Sequence, residues 1–207
     1  MLKIGQSSDH GFDEPLGLLS DCHRRIEHFL AVLAAIADQT GARELDTSER
    51  RQLEGALAYF KTAAPRHTAD EEESLFPRLE ASRDEAAAAA LQLVRRLERD
   101  HDEADSLHEA VDRLGRAWLA DNSLGADDLQ DLRRLLARLR SLYDAHIAVE
   151  DRQLFPTAAR ILSNRELHAI GDEMAARRSI RVTTTSAAAA TASRARTSRT
   201  RQAGKAT

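Results

Sequence analysis

Between residues 16 and 162 the apolar positions recur at alternating spacings of three and four, the mark of helices that bury one stripe. The first such stretch, Leu16 to Gln39, carries a seam of Leu19, His23, Ile26, Leu30, Leu33 and Ala37. Thr40-Gly41 offers a stop, because glycine tolerates the backbone turn that ends a helix. A polar loop then leads to Thr47 or Ser48, either of which suits an N-cap. The second seam runs Leu53, Leu57, Phe60, Ala64, His67, Glu71, Leu75 and Leu79. Proline lacks an amide hydrogen, so Pro65 predicts a kink near His67, and Pro77 predicts either a second kink or a new turn. Residues 83–118 read as a third helix on Val94, Leu97, His101, Ala104, His108, Val111 and Trp118. Asp121 to Gly125 is a turn cluster. The fourth helix starts near Ala126 and reaches about Leu162, on Leu132, Leu135, Leu139, Leu142, His146, Val149/Glu150 and Gln153. Ser163-Asn164 caps a short helix, Arg165 to about Arg178.

Four helices of similar length with short links predict an all-α, up-down-up-down four-helix bundle. The expected organisation is an irregular lead-in over 1–15, the bundle over 16–162, a short C-terminal helix over 163–180, and a tail over 181–207. That tail is rich in Arg, Ala, Ser and Thr, has no periodic apolar face, and is expected to be disordered. The bundle also repeats internally. His23 to His67 spans 44 residues and His101 to His146 spans 45, while His23 to His101 spans 78 and His67 to His146 spans 79. Helices 1–2 and 3–4 therefore read as two copies related by a pseudo-two-fold.

The polar members of the seams carry the chemistry. Two segments, starting at His67 and at His146, share the pattern His-x3-Glu-x3-Leu-Phe-Pro. Residues four apart lie on one helical face, about 6 Å apart along the axis, so each copy aims an imidazole and a carboxylate the same way. A buried carboxylate without a partner is costly and tends to protonate. Two of them, Glu71 and Glu150, at symmetric positions beside four seam histidines call for a cation. The glutamates could bridge a pair of metals, with two imidazoles on each. An all-nitrogen-and-oxygen donor set suits iron, manganese or zinc.

The pattern of His23, His67/Glu71, His101 and His146/Glu150, with Leu-Phe-Pro after each glutamate, resembles the hemerythrin-like, or HHE cation-binding, domain. The resemblance covers roughly residues 16–162. It implies a four-helix bundle holding two iron ions, oxo- or hydroxo-bridged, ahead of manganese or zinc. It implies binding or sensing of O2, NO or peroxide, or the handling of iron. Oxygen-carrying hemerythrins place a fifth histidine one turn after the third-helix ligand; here that position is Asp105, which leaves more coordination positions open. Cluster-repair members carry an N-terminal cysteine motif that the short lead-in lacks. Glu27 follows His23 as Asp105 follows His101, so both are candidates for extra ligands, for orienting an imidazole, or for plain solvated acids. Ferritin-like bundles use Glu-x-x-His, the reverse order with a shorter gap. His10, His28, His108 and His168 have no repeat partner and read as surface or supporting groups.

Composition narrows the rest. Hydrophobic residues make up 42% of the 207 and aromatics 4%, with four prolines, which favours helices over sheets. No run is long and apolar enough to cross a membrane, and no secretory leader is visible, so a cytoplasmic location is expected. The single cysteine, Cys22, suits a reducing compartment and reads as a packing residue. Residues 1–176 hold 22 basic and 34 acidic side chains, whereas eight Arg/Lys and no acid follow from Arg177 onward. The basic tail could touch nucleic acid, but with no aromatic residue or motif a solvated tail is favoured. Three function classes follow: a di-iron protein that binds or senses a small diatomic gas or peroxide, a di-iron enzyme in peroxide decomposition or iron-sulfur cluster repair, and a helical interaction scaffold with a basic tail.

Overall fold

A computed structural model of the chain describes residues 10–41 and 43–180. Residues 1–9 of the expected 1–15 lead-in and the expected tail over 181–207 lie outside the described residues. Every element among the described residues is helical. The first rod is α1 (Pro15–Thr40). The second is α2 (Thr47–Thr62), α3 (Ala64–Asp70), a single π-helical turn (Glu71–Leu75) and α4 (Phe76–Ala81). The third is α5 (Glu85–Asp121). The fourth is α6 (Ala126–Val149), a second π turn (Glu150–Leu154) and α7 (Phe155–Ile161). A shorter fifth rod is α8 (Asn164–Arg177). Helices α1 and α5 each pack on α2 and on α6, closing the ring of neighbours expected of an up-down-up-down bundle. Helix α8 lies outside that ring, against α1, α3 and the first π turn.

Local chemistry sets the ends. Helix α2 is capped one residue before the expected Thr47 or Ser48. The Asp46 carboxylate accepts from the Ser48 and Glu49 amides at 2.7 and 2.8 Å, and Glu49 accepts from the Asp46 amide at 2.9 Å. This reciprocal capping box satisfies donors that a threonine at position 47 would leave open. Ser163 and Glu166 form the same device at α8. Pro65 sits in the first turn of α3, and the break falls at Ala63, one turn ahead of His67.

The two π turns are where the repeat shapes the backbone. In each, the phenylalanine amide reaches back five residues, Phe76 to the Glu71 carbonyl and Phe155 to the Glu150 carbonyl. Pro77 and Pro156 sit in the first turn of the next helix. A proline there cannot donate to the carbonyl four residues back, and its ring would collide with it in a continuous α-helix. A wider turn accommodates that register change. It also turns the chain differently from the extrapolated seam: Leu154 is buried and Gln153 is exposed. On α6, Leu136 is buried and Leu135 only half-buried.

The interior has two apolar clusters. One runs through Ile26, Leu30, Leu57, Ala64, Ala104, Trp118 and Leu142. The other gathers Leu19, Leu75, Phe76, Leu97, Leu154, Phe155, Ile170 and Met174. On every bundle rod a histidine falls between a residue of one cluster and a residue of the other. The polar layer is thus held between two greasy ones, and α8 contributes to the second.

Two glycines test this packing with opposite signs. A Cβ at Gly171 on α8 would lie 1.8 Å from the Phe12 backbone carbonyl, whereas a Cβ at Gly55 on α2 would meet nothing within 4 Å. Gly55→Ala should stabilise by about 0.5–1 kcal/mol through helix propensity. Gly171→Ala should lose that gain and more, a net cost of roughly 1–3 kcal/mol, because backbone must move. Thermal unfolding followed by circular dichroism distinguishes the two.

Candidate metal centre

Four rods deliver one imidazole each to the middle of the bundle: His23 from α1, His67 from α3, His101 from α5 and His146 from α6. All four are buried, and the two glutamates that open the π turns, Glu71 and Glu150, have no exposed surface. Ring Nε2 atoms face carboxylate oxygens: His23 to Glu150 at 3.0 Å, His146 to Glu150 at 3.2 Å, and His67 and His101 to Glu71 at 3.4 Å each. Donor atoms of His23, His67, Glu71 and Glu150 all lie within 4.8 Å of one another, and so do those of His101, His146, Glu71 and Glu150. Both glutamates belong to both groups. The structure therefore brings together all six residues of the sequence pattern, as two four-donor sets that share their carboxylates.

The far side of the site is built from residues that sequence reasoning passed over. Glu72, next to Glu71, accepts from His101 Nδ1 at 2.7 Å, and Asp151, next to Glu150, accepts from His23 Nδ1 at 3.1 Å. Asp100 faces His146 Nδ1 at 3.5 Å. The phenylalanines of the two Leu-Phe-Pro segments lie flat beside the same rings, Phe76 by His101 at 6.3 Å and Phe155 by His23 at 5.5 Å between centroids. Each His-x3-Glu segment thus supplies a ligand-type pair of its own. It also supplies an acid and an aromatic plate that fix the imidazole of a single-histidine rod. The available signal was an acid directly after the glutamate in both copies, Glu72 and Asp151.

The electrostatics are those of a site made for positive charge. The four oxygens of Glu71 and Glu150 are all buried, and among the described residues they meet no donor except the imidazole nitrogens that face them, at geometry that leaves them poorly satisfied. In folded proteins the large majority of buried polar atoms are paired. Burial pulls the His23 pKa down, but Asp151 and Glu150 overcome it and hold it at about 10. His101 is likewise lowered by burial yet held at about 9 by Glu71 and Glu72. Burial raises Glu150, but the His146 and His23 imidazoles beside it win and keep it ionised. Burial and the Glu150 charge push Glu71 up to about 7. His67, with burial dominant, falls well below its ordinary value. Protons on two imidazoles take the place that a cation would fill. A nitrogen and carboxylate set with buried, poorly satisfied oxygens fits a divalent metal pair and contains no thiolate.

Glu27 and Asp105 are both exposed and stand outside both donor groups. A step of four residues over-rotates the helix by about 40°, and on α1 and α5 this carries the acid off the seam. Asp105 instead lines a cleft of about 340 Å³ with Phe60, Lys61, Pro65 and His108. His108 stacks on Phe60 at 4.4 Å and meets the Tyr143 hydroxyl at 3.0 Å. Tyr143 in turn presents its ring to His146, with 6.3 Å between centroids. His10 binds Asp21, and His168 is exposed on α8. Cys22 is buried beside His23, with Arg25 Nη2 donating to its sulfur at 2.9 Å. Asp70, fully buried next to Glu71, is clamped by Arg178 at 2.7 Å and Arg177 at 3.0 Å from α8.

A helical bundle with two His/Glu groups sharing carboxylates at its centre defines the class, a helical cation-binding domain. The chain belongs to the hemerythrin family: the hemerythrin HHE cation-binding domain matches residues 14–158. An uncharacterized protein of Haemophilus influenzae is 30% identical over 171 residues, covering 82% of this chain and 93% of that protein. No helix among the described residues is long and apolar enough to cross a membrane.

His108 gives a pH test away from the donor set. Burial lowers its pKa from 6.5 to about 4. Above 6.5 both folded and unfolded forms are neutral there. As pH falls toward 4 the unfolded chain binds a proton that the folded one refuses, so stability is lost across that window. Wild type should lose on the order of 3 kcal/mol more than His108→Gln between those limits, read from urea unfolding at each pH.

Proposed function

We propose that the chain holds two metal ions at this centre, one between His23 and His67 and one between His101 and His146, with Glu71 and Glu150 common to both. The observation that carries this reading is the pair of buried carboxylates belonging to both donor sets, whose four oxygens face no donor among the described residues except the site's own imidazoles. Iron is the metal that the family membership and the donor chemistry favour. Bound iron would supply open coordination positions and one-electron chemistry. The chain's own residues orient the imidazoles, keep Glu150 ionised and hold water away from the layer. The function this supports best is binding or sensing of O2, NO or peroxide, or the handling of iron.

Elemental analysis after iron-replete expression should give about two irons per chain. The visible spectrum should respond to O2 or NO under reducing conditions. Glu150→Ala should abolish most of the bound iron because it removes a donor from both sets, while Glu27→Ala and Asp105→Ala should leave the stoichiometry unchanged. Absence of metal from the wild-type protein would defeat the reading.

The cleft beside Asp105 favours a second reading, an enzyme that consumes peroxide. Its wall carries His108, which meets the Tyr143 hydroxyl behind it, and the Tyr143 ring lies beside that of His146. Burial and nearby acids raise the Tyr143 pKa, so the phenol stays a neutral donor. If this reading holds, the iron-loaded protein turns over hydrogen peroxide, and Tyr143→Phe lowers kcat about tenfold or more with little change in iron content. A wild-type protein with no turnover leaves plain binding or sensing as the function.

A further inference from the structure

The two halves of the site are not built alike. Three of the four imidazoles have a carboxylate against Nδ1: Glu72 behind His101, Asp151 behind His23 and Asp100 facing His146. His67 has none. Its Nδ1 is buried and has no hydrogen-bond partner among the described residues. The internal repeat explains the gap. Asp100 is the residue just before His101, and the residue just before His23 is Cys22. A buried thiol held by Arg25 stands where the other half has an acid. Both imidazoles of the His101/His146 half are therefore backed by acids, but only His23 is backed in the other half.

A carboxylate behind a ligating imidazole fixes the tautomer and the ring orientation and makes the ligating nitrogen more basic. Its loss typically lowers metal affinity about 10- to 100-fold. We infer that the two metal positions are inequivalent: the one between His101 and His146 fills first and holds its ion more tightly than the one between His23 and His67. The inference rests on the metal-centre reading above and specifies how that centre loads. It also makes Asp100 a positioning residue, acting through His146. Because the positions share Glu71 and Glu150, a second ion would bind more weakly even in a symmetric site. Stepwise loading is therefore not the test; the identity of the histidine that each step needs is.

The experiment titrates the metal-free full-length protein with Zn(II) against a chromophoric chelator, with circular dichroism to confirm that each variant is folded. His67→Ala should keep the tighter step and lose the weaker one. His146→Ala should lose the tighter step. Asp100→Asn, which keeps every donor of both sets, should weaken the tighter step about tenfold or more. The inference is overturned if His67→Ala and His146→Ala weaken the tighter step alike, if their effects are reversed, or if Asp100→Asn leaves that step unchanged. A folded wild-type protein that takes up no Zn(II) would instead remove the metal-centre reading itself, and this inference with it.

Discussion

Two carboxylates with no exposed surface, and with no donor among the described residues except the imidazoles around them, sit at the middle of the bundle, and the surrounding architecture answers to them. Burying one unpaired carboxylate costs several kcal/mol, and these two repel each other as well. Four imidazoles, one from each bundle rod, converge on them, and two of these carry compensating charge. In the protein alone that charge is protonic, on His23 and His101. A metal pair would take over the same role and release those protons. The polar layer is tolerable because apolar clusters above and below exclude water and fix the rods that present it.

The Leu-Phe-Pro segments link backbone to chemistry. The proline excludes a regular helical turn, the π turn absorbs the change, and the glutamate stands at its start. The phenylalanine that closes the turn lies beside an imidazole from a different rod. One short motif therefore shapes its own helix, supplies a histidine and a glutamate, and braces a ring across the bundle. Its duplication builds the site, and the points where duplication fails give the site direction. Cys22 replaces the acid at Asp100, and Val149 stands where Asp70 takes the arginines of α8.

Much of this was legible in the sequence because helical spacing is a strict ruler. Periodicity located the rods, and the near-constant intervals between the four seam histidines exposed the repeat. The coincidence of His-x3-Glu in two copies, with His23 and His101 on the other two seams, marked the six residues that meet in the interior. The ruler fails at the π turn and at a cap, and within α6 it picks Leu135 where Leu136 is the buried residue. Spacing extrapolates Gln153 onto the seam, but the π turn buries Leu154 instead. Thr47 and Ser48 suit caps by residue type, but Asp46 reaches the free amides first.

Sequence by itself determined which residues share a face on each regular helix, since the angle between side chains on one helix depends only on their separation. It could not determine how each helix is rotated against its neighbours, because that is set by the packing of two clusters drawn from all the rods. Only the tertiary structure therefore decided that His23 groups with His67 and His101 with His146. Only it showed that Glu72, Asp151 and Asp100 stand behind three of the rings while His67 has no such partner, and that Glu27 and Asp105 face outward. Those are relations between residues on different helices, and no spacing along one chain segment encodes them.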